Sequence, residues 1–396
     1  MPTIKPRNKP RIPHFSSGPC AKYPGWSPQA VMQFAVLGRS HHSTEVKQQL
    51  CMLQRLLRDI LEIPEDHRII IVPGSATGAI EAAICSLLGH SPIDLPVWEL
   101  FGERWADDIL NQLRLPNVQI LESTPDMLID TLGKVRKNSD VVTVWNGTTC
   151  GVRIPDASWI APDRTGLIIA DVASAVFGQA LPWTSIDVAA FSWQKGLGGE
   201  AGLGTLLLSP AAVYRLENYH PPQGIPRVLQ LQRLNHSTDI TLNTPSLLCI
   251  ADFLAALTWA RSIGGGNALY ARCYGNACVL HEWAEQSRWL CHTVSRPEIR
   301  SLTSVCLRLR DNNSQNNLQE ENAILTKALF LLKEEGVAFD IASHRESPLG
   351  IRIWCGPTID RQDLVILCDW LDWAFSTAHE LTQKNKILHK NCSSSL

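Results

Sequence analysis

The chain has 396 residues and a formal net charge of −2, with 45% hydrophobic and 19% charged residues. This length suits a large domain plus a smaller one, and the composition leaves enough apolar side chains for a core. The near-neutral charge gives no electrostatic basis for binding nucleic acid or a membrane surface, and no run of about 20 apolar residues predicts a transmembrane helix.

The cysteines and the first residues indicate a cellular compartment. Twelve cysteines are scattered without a Cys-x-x-Cys pair, and none of their spacings matches a four-ligand zinc site. Thiols spread in this way are typical of a reducing cytosol rather than of a disulfide framework. The first residues lack an apolar run long enough for a signal peptide, so we expect a cytoplasmic protein without a bound metal.

The segment before Glu45 is basic, because it contains lysines and arginines but no aspartate or glutamate. Residues 1–14 are predicted to form an N-terminal arm. Lys5 to Arg11 fit a solvated arm, whereas the later part of the segment also fits a role in binding an anion. The sequence leaves both interpretations open.

The first two-thirds of the chain alternates short apolar runs with helical patterns. Ser27-Pro28 and Ser43-Thr44 are each typical of a helix start. The wholly apolar run Ile69–Val72 is expected of a buried strand, and a helix from about Ala76 to Leu88 follows it. Repeated units of this kind predict an α/β fold with a mostly parallel sheet covered by helices. The further predicted strands span residues 94–98, 118–121, 141–145, 166–170, 188–191 and 204–208.

A second, smaller α/β domain is predicted after a hinge at Gly264-Gly265-Gly266. A long apolar helix after Pro245 leads to this hinge. Beyond it we expect a helix to about Leu290, a strand at 302–310, a helix through Leu325 and Leu331, a strand at 351–354 and a last helix capped near Thr358. The predicted division is an arm (1–14), a large domain (15–265), a small domain (266–383) and a flexible polar tail (384–396).

Lys195 is the first candidate for chemistry. It follows the predicted strand 188–191, and five glycines occur between residues 196 and 204. Glycines let a cofactor approach the backbone closely, and a lysine cleared of neighbouring side chains suits imine formation with an aldehyde. A lysine beside glycines is also common as a solvated loop residue, so this feature alone assigns no function.

Asp171 is the expected partner of Lys195. It ends the apolar strand 166–170, where it could pair with a protonated pyridine nitrogen and make that ring an electron sink. The alternative role is a helix or turn cap. The two residues stand 24 positions apart, enough for one strand–crossover–strand step, so both can face one ligand at the carboxyl ends of the strands.

The turn Gly74-Ser-Ala-Thr-Gly78 ends one predicted strand and opens a helix, whose free N–H groups suit a phosphate. Taken alone it is a tight turn; it is not a Walker loop, because no lysine follows its second glycine. Trp98, also at a strand end, suits stacking on a flat ring or a place in the core. The chain has no Gly-x-Gly-x-x-Gly dinucleotide motif, which disfavours a dehydrogenase.

These features together resemble the phosphoserine aminotransferases, class V members of the fold-type I pyridoxal-phosphate (PLP) enzymes, from about Phe15 to Phe375. The resemblance is specific only as a set. The motifs that carry it are Phe15-Ser-Ser-Gly-Pro-Cys20, Gly38-Arg-Ser-His41, Trp98-Glu-Leu-Phe-Gly102, Trp145-Asn-Gly-Thr-Thr149, Ala170-Asp171, Ser192-Trp-Gln-Lys195, Asn243-Thr-Pro245 and Gly350-Ile-Arg-Ile-Trp354.

The resemblance implies a role for each matching residue toward pyridoxal 5'-phosphate. Lys195 would form the Schiff base and move the substrate α-proton, and Asp171 would hold the pyridinium. The other implied cofactor contacts are Trp98 stacked on the ring, Thr148 on its 3-oxygen, Ser75, Ala76 and Gln194 on the phosphate, and Asn243 and Thr244 on the phosphate of the neighbouring subunit's cofactor. The last two imply a homodimer with shared active sites.

The resemblance also implies the substrate contacts. Arg352 would bind the α-carboxylate, and His41, His344 and Arg345 would hold the distal anion. The chain departs from the family at His42, where the motif usually has arginine. A histidine is only partly charged near neutral pH and cannot form a two-pronged bond to an oxyanion. Either another arginine (Arg39 or Arg345) compensates or the substrate preference has changed.

The implied reaction transfers an amino group between L-glutamate and 3-phosphohydroxypyruvate, giving 2-oxoglutarate and O-phospho-L-serine. It would serve serine biosynthesis, and it leaves open the analogous phosphohydroxythreonine step of vitamin B6 synthesis. The alternatives are a class V PLP aminotransferase or lyase with a different substrate, and a non-catalytic protein that keeps the PLP fold. A cysteine desulfurase-like lyase is disfavoured, since no cysteine-containing loop matches that family's motif.

Overall fold

A seven-stranded sheet forms the centre of the computed structural model, which describes residues 4–234, 240–310 and 318–393, with side chains to residue 384. Its strands lie in the order β1-β9-β8-β7-β4-β2-β3. They are β1 (Arg68–Pro73), β2 (Ile93–Val97), β3 (Val118–Glu122), β4 (Asp140–Val144), β7 (Ile168–Asp171), β8 (Val188–Ser192) and β9 (Leu203–Leu208). Between β4 and β7 in the chain, β5 (Asn146–Gly147) and β6 (Val152–Arg153) form a separate small hairpin.

The sheet is parallel except for β9, which is antiparallel to both of its neighbours. The predicted mostly parallel α/β architecture is therefore confirmed, and each predicted strand agrees with the observed one within two residues at either end. Since β2, β4, β7 and β8 run in one direction, their carboxyl ends meet at one edge of the sheet.

Ten helices surround the two sheets in the part of the chain that the structure describes. Four of them (α1, α2, α6 and α7) begin after a serine whose hydroxyl accepts a backbone N–H, and Ser27 and Ser43 do so in the predicted positions. They are α1 (Pro28–Met32), α2 (Thr44–Leu61), α3 (Ser75–Leu87), α4 (Leu100–Asp107), α5 (Leu128–Leu132), α6 (Pro210–Asn218), α7 (Leu247–Ser262), α8 (Gly265–Gln286), α9 (Leu318–Glu334) and α10 (Arg361–Ser393).

A second, three-stranded antiparallel sheet follows the glycine hinge: β10 (Leu290–His292), β11 (Ser304–Leu309) and β12 (Ile351–Trp354). Its apolar face, with α9 and α10, forms a core separate from that of the large sheet. Phe15, Cys20 and Ala21 pack into this second core although they precede the large sheet in the chain. The exact division at residue 265 stays a prediction.

Two predicted boundaries differ from the structure. The helix after the hinge ends at Gln286 and not at Leu290. Leu290 instead begins β10, which pairs with β11. The polar tail predicted from Lys384 continues α10 as helical backbone to Ser393, and residues 394–396 lie outside the described part.

The basic arm is held by acids rather than simply solvated. Lys5 Nζ lies 2.6 Å from Glu335, and Arg11 lies 2.5 Å from Asp360. The Trp370 indole donates a hydrogen bond of 2.7 Å to the carbonyl of Asn8. The arm therefore docks on the second core, and its first three residues lie outside the described part.

Among the described residues, no single helix is long and apolar enough to cross a membrane. Helices α7 and α8 reach the required length and composition only when taken together, and they meet at an angle of 85°. Most of α7 is buried in the core of the large sheet.

Candidate active site

Two neighbouring strands bring Asp171 and Lys195 to one pocket. β7 ends at Asp171, and β8 ends three residues before Lys195. The strands are parallel with Asp171 opposite Ala190, so both ends lie at the same sheet edge. Both side chains line a pocket there, together with residues from the start of α3, from α4 and from the turn after β4.

The Lys195 amine is fixed by two hydroxyl groups. Nζ lies 3.0 Å from Thr148 Oγ1 and 2.9 Å from Ser174 Oγ, and these two hydroxyls also bond to each other. Burial lowers the pKa of Lys195, and the Asp171 carboxylate partly offsets this effect. A lysine with a lowered pKa keeps more of its amine unprotonated, which is the nucleophilic form.

Asp171 is 7% exposed and faces the same pocket. Its Oδ1 accepts a 3.0 Å hydrogen bond from the backbone N–H of Ala173. Burial raises the pKa of Asp171, whereas the Lys195 ammonium and then the Ala173 N–H lower it. A buried carboxylate at this position is suited to pair with a cationic group that enters the pocket.

The start of α3 forms the second wall of the pocket. Ser75, Ala76 and Thr77 line it, and their N–H groups precede the first hydrogen bond of the helix, from Gly78 to Gly74. Ser192 and Gln194 line the same pocket, and Ser192 Oγ and Gln194 Oε1 are buried without a hydrogen-bond partner. Unpaired N–H groups, a helix start and unpaired polar atoms together suit a phosphate.

The structure does not place Trp98 over this pocket. Trp98 lines a neighbouring cleft with Glu99 and Cys150, and its ring abuts Gly147, where an added Cβ would lie 2.7 Å from Cζ3. Trp98 therefore does not line the pocket that Lys195 and Asp171 share. The aromatic side chains that line the Lys195 pocket are Phe101 and Trp105 on α4, because the chain turns at Glu99 before the helix begins.

Arg352 belongs to β12, and His344 and Arg345 lie in the loop that precedes this strand. Arg352 is half-buried, and its Nε has no hydrogen-bond partner. Burial lowers the pKa of His344, and Arg352 lowers it further, which indicates that these two groups are close. Arg345 is 83% exposed and pairs with Glu346 at 3.1 Å.

Eight predicted site residues do not line the Lys195 pocket of their own chain: Trp98, His344, Arg345 and Arg352, and also Asn243, Thr244, His41 and His42. Asn243 and Thr244 follow a segment that runs beside β1, and Asn243 Nδ2 is buried without a partner. His41 and His42 lie before α2, with ring centroids 3.9 Å apart. Burial lowers the pKa of His41, and His42 lowers it further.

Sequence reasoning missed several side chains near the pocket. Ser174 bonds Lys195 without belonging to any recognisable pattern. Phe101 and Glu99 lie inside the motif 98–102, where attention to the helix start could have found them. Glu99 is 5% exposed and accepts hydrogen bonds from Gly102 N and Thr149 Oγ1, both at 2.9 Å. Burial raises its pKa to about 7, although both hydrogen bonds oppose this.

The solved structures that match this fold are aminotransferases, and one of them contains bound PLP. The PLP-bound phosphoserine aminotransferase of Trichomonas vaginalis matches with a TM-score of 0.77 and 18% identity, covering 91% of this chain and 99% of that one. Phosphoserine aminotransferase from Bacillus circulans subsp. alkalophilus matches with a TM-score of 0.76 and 15% identity, over 93% and 99% of the two chains. The fold is that of the fold-type I PLP-dependent transferases.

Two relatives are similar over nearly their whole length. Phosphoserine aminotransferase of Methanosarcina barkeri is 42% identical over 378 residues, 94% of this chain and 99% of the relative. That of Methanosarcina mazei is 43% identical over 377 residues, with the same coverage. No protein-family model matches the chain. The chain belongs to the phosphoserine aminotransferase family.

Proposed function

We propose that this chain is a PLP-dependent enzyme that transfers an amino group between L-glutamate and 3-phosphohydroxypyruvate, giving O-phospho-L-serine and 2-oxoglutarate. Family membership supports the reaction. The observation that carries the proposal is the single pocket shared by the Lys195 amine and the Asp171 carboxylate. A cofactor aldehyde and a ring nitrogen need these two groups at opposite ends of one flat molecule.

The pocket residues fit PLP. The start of α3 with Ser75 and Ala76, and the unpaired Gln194 Oε1 and Ser192 Oγ, would hold the phosphate. When bound, PLP supplies an aldehyde and a ring that withdraws electrons from the substrate's α-carbon. Asp171 would keep the ring nitrogen protonated, and Thr148 would reach the 3-oxygen. Phe101 takes the stacking role that we first expected of Trp98.

Lys195 is proposed to move the proton at the substrate α-carbon. Its lowered pKa favours the unprotonated amine that accepts this proton. The hydroxyls of Thr148 and Ser174 keep Nζ at the pocket wall, so the amine stays close to the bound substrate. An amine that is both oriented and partly unprotonated can serve as base and then as acid.

Arg352 is proposed to bind the substrate α-carboxylate. A half-buried guanidinium with an unpaired Nε is suited to an incoming carboxylate, which would satisfy its free donor. His344 and Arg345, with His41 and His42, would hold the distal phosphate or γ-carboxylate. The histidine pair before α2 lies outside the pocket of its own chain, so we propose that a second subunit contributes it.

We further propose a homodimer with shared sites, in the cytoplasm. Asn243 and Thr244 are outside the pocket of their own chain, and the buried, unpaired Asn243 Nδ2 is suited to a phosphate oxygen of the neighbouring subunit's cofactor. Every described cysteine side chain is free, which fits a reducing compartment.

The proposal is tested by donor specificity. The purified protein with PLP and 2-oxoglutarate is offered O-phospho-L-serine, L-aspartate, L-alanine or L-cysteine, and L-glutamate formation is measured. We expect the highest kcat/KM with O-phospho-L-serine. A higher value with another amino acid, or release of sulfide from cysteine, would contradict the proposed substrate while leaving PLP chemistry possible.

A further inference from the structure

Arg104 lies close to the Lys195 pocket, although no motif in the sequence pointed to it. Its guanidinium carbon is 5.4 Å from the centroid of the Phe101 ring, which lines the pocket. Lys195 Nζ is 5.6 Å from the same centroid. The two cations therefore lie within about 11 Å of each other, the largest separation that two distances to one ring allow.

Glu346 is the acid that holds Arg104, and it holds Arg345 as well. Its Oε2 lies 3.1 Å from an Arg104 nitrogen, and its Oε1 lies 3.1 Å from Arg345 Nε. One carboxylate therefore serves two guanidinium groups. Arg104 and Glu346 are each 42% exposed in their side chains, so the pair is open to solvent and to an incoming ligand.

Arg352 adds a further positive charge near Arg104, Arg345 and His344. Arg352 forms no ion pair among the described residues, and its Nε lacks a hydrogen-bond partner. Arg352, Arg104 and Arg345 each lower the pKa of His344, after the larger effect of burial. Glu346 joins this group by geometry: its carboxylate pairs with Arg104 and Arg345, and its backbone N–H donates a hydrogen bond of 3.3 Å to His344 Nδ1. A ligand with two anionic groups would supply the missing negative charge.

We propose that Arg104 binds the distal anionic group of the substrate, and that Glu346 occupies this position until the substrate arrives. The inference rests on the proposed function. A guanidinium forms paired hydrogen bonds with phosphate or carboxylate, so the substrate replaces one ion pair of Arg104 with another. A phosphate dianion competes with Glu346 better than a γ-carboxylate does, which makes Arg104 a determinant of preference for the phosphorylated substrate.

This role also accounts for His42. At that position the family motif usually has arginine, whose charge is permanent. Arg104 supplies a permanent charge from a different element, α4, beside the loop that carries His344 and Arg345. The histidine at position 42 then need not carry the phosphate alone.

Two substitutions with opposite expected effects test the proposal in the PLP-loaded enzyme. Arg104→Gln removes the charge, so we expect KM for O-phospho-L-serine and Kd for inorganic phosphate, measured by calorimetry, to rise about 10- to 100-fold. Glu346→Gln removes the internal competitor, so both constants should fall about 2- to 5-fold. KM for L-glutamate should change less in each variant.

Arg296→Gln is the matched control, because Arg296 is an exposed arginine paired with Glu298 at 2.8 Å. It should leave both constants unchanged. Constants within about twofold of wild type in Arg104→Gln, or weaker phosphate binding in Glu346→Gln, would overturn the inference. If Arg104→Gln fails to fold, the direction of the Glu346→Gln effect decides alone. A wild type that binds phosphate through Arg104 but does not convert phosphoserine would instead refute the proposed function.

Discussion

At the residue scale, the ring that faces the cofactor site is the clearest difference from the sequence prediction. Phe101 lies beside Lys195, whereas Trp98 lines a neighbouring cleft. Trp98 stands at a strand end, where an aromatic is expected to meet a ligand. The bend of the chain at Glu99 decides whether Trp98 or Phe101 faces the Lys195 pocket. This bend cannot be read from the pattern of residue types in the sequence.

Phe101→Leu tests this assignment. Loss of a stacked ring should weaken PLP binding about 2- to 12-fold, because stacking contributes about 0.5–1.5 kcal/mol beyond area burial. Fluorescence titration with PLP measures the Kd. Trp98→Phe, which keeps an aromatic in the neighbouring cleft, should leave the Kd unchanged. A larger loss of affinity in Trp98→Phe than in Phe101→Leu would return the stacking role to Trp98.

Glu99 makes a pH-dependent contribution to stability. The ordinary pKa of a glutamate is 4.5, and burial raises the pKa of Glu99 in the fold to about 7. Between these pH values the folded state binds more protons than the unfolded state, so the free energy of unfolding falls as the pH rises. The stabilising contribution is complete below pH 4.5 and is lost as the pH passes 7.

Glu99→Gln removes this dependence. Urea unfolding of both proteins between pH 4.5 and 7.5 should give a wild-type free energy that falls by about 3 kcal/mol more than that of the variant. Other titrating groups occur in both proteins and cancel in the difference. Parallel pH curves for the two proteins would show that Glu99 is not a titrating buried acid in this range.

At the element scale, strands and helix starts were predictable because short-range rules set them. Ser27 and Ser43 cap α1 and α2 as expected, and apolar runs such as Ile69–Val72 became strands of the sheet. The reversed direction of β9 and the contact of Phe15 with the second core depend on pairing between distant segments. Local patterns do not determine such contacts.

The turn into α3 has a steric requirement for glycine at position 78. A Cβ there would lie 2.1 Å from the carbonyl oxygen of Pro73, so Gly78→Ala must displace the backbone of the proposed phosphate site. We expect a loss of about 1–3 kcal/mol in stability and weaker PLP binding. The control is Gly275→Ala in α8, where no atom lies within 4 Å of the added Cβ.

The control should be neutral or stabilising by up to about 1 kcal/mol, because alanine favours helix over glycine. Thermal unfolding with and without PLP measures both effects. Equal behaviour of the two variants would mean that the turn before α3 tolerates a side chain, and the tight approach of Gly78 to Pro73 would then be wrong.

At the scale of the whole molecule, the prediction is that two chains complete each site. The test uses two variants, Lys195→Ala and the double variant Asn243→Ala with Thr244→Ala. A dimer made of either variant alone should be nearly inactive. In a mixed dimer, one subunit comes from each variant. If Asn243 and Thr244 serve the neighbouring cofactor, a mixed dimer contains one site with no substitution. Co-refolding the two variants should therefore restore activity.

An equal mixture should recover about a quarter of the wild-type activity, since half of the dimers are mixed and each has one intact site. Absence of recovery, with mixed dimers confirmed by differential tags, would place Asn243 and Thr244 in the site of their own chain or outside any site. The sequence suggested this sharing only through family resemblance, because a single chain does not contain the interface.

The account depends most on Lys195 as the residue that binds the cofactor aldehyde in the pocket faced by Asp171. The direct measurement is to saturate the protein with PLP, reduce it with borohydride and map the modified peptide by mass spectrometry. We expect one pyridoxyl group on Lys195, and Lys195→Ala should lose both this label and the yellow absorbance together with turnover. A label on a different lysine, or retained transaminase activity in Lys195→Ala, would contradict the account.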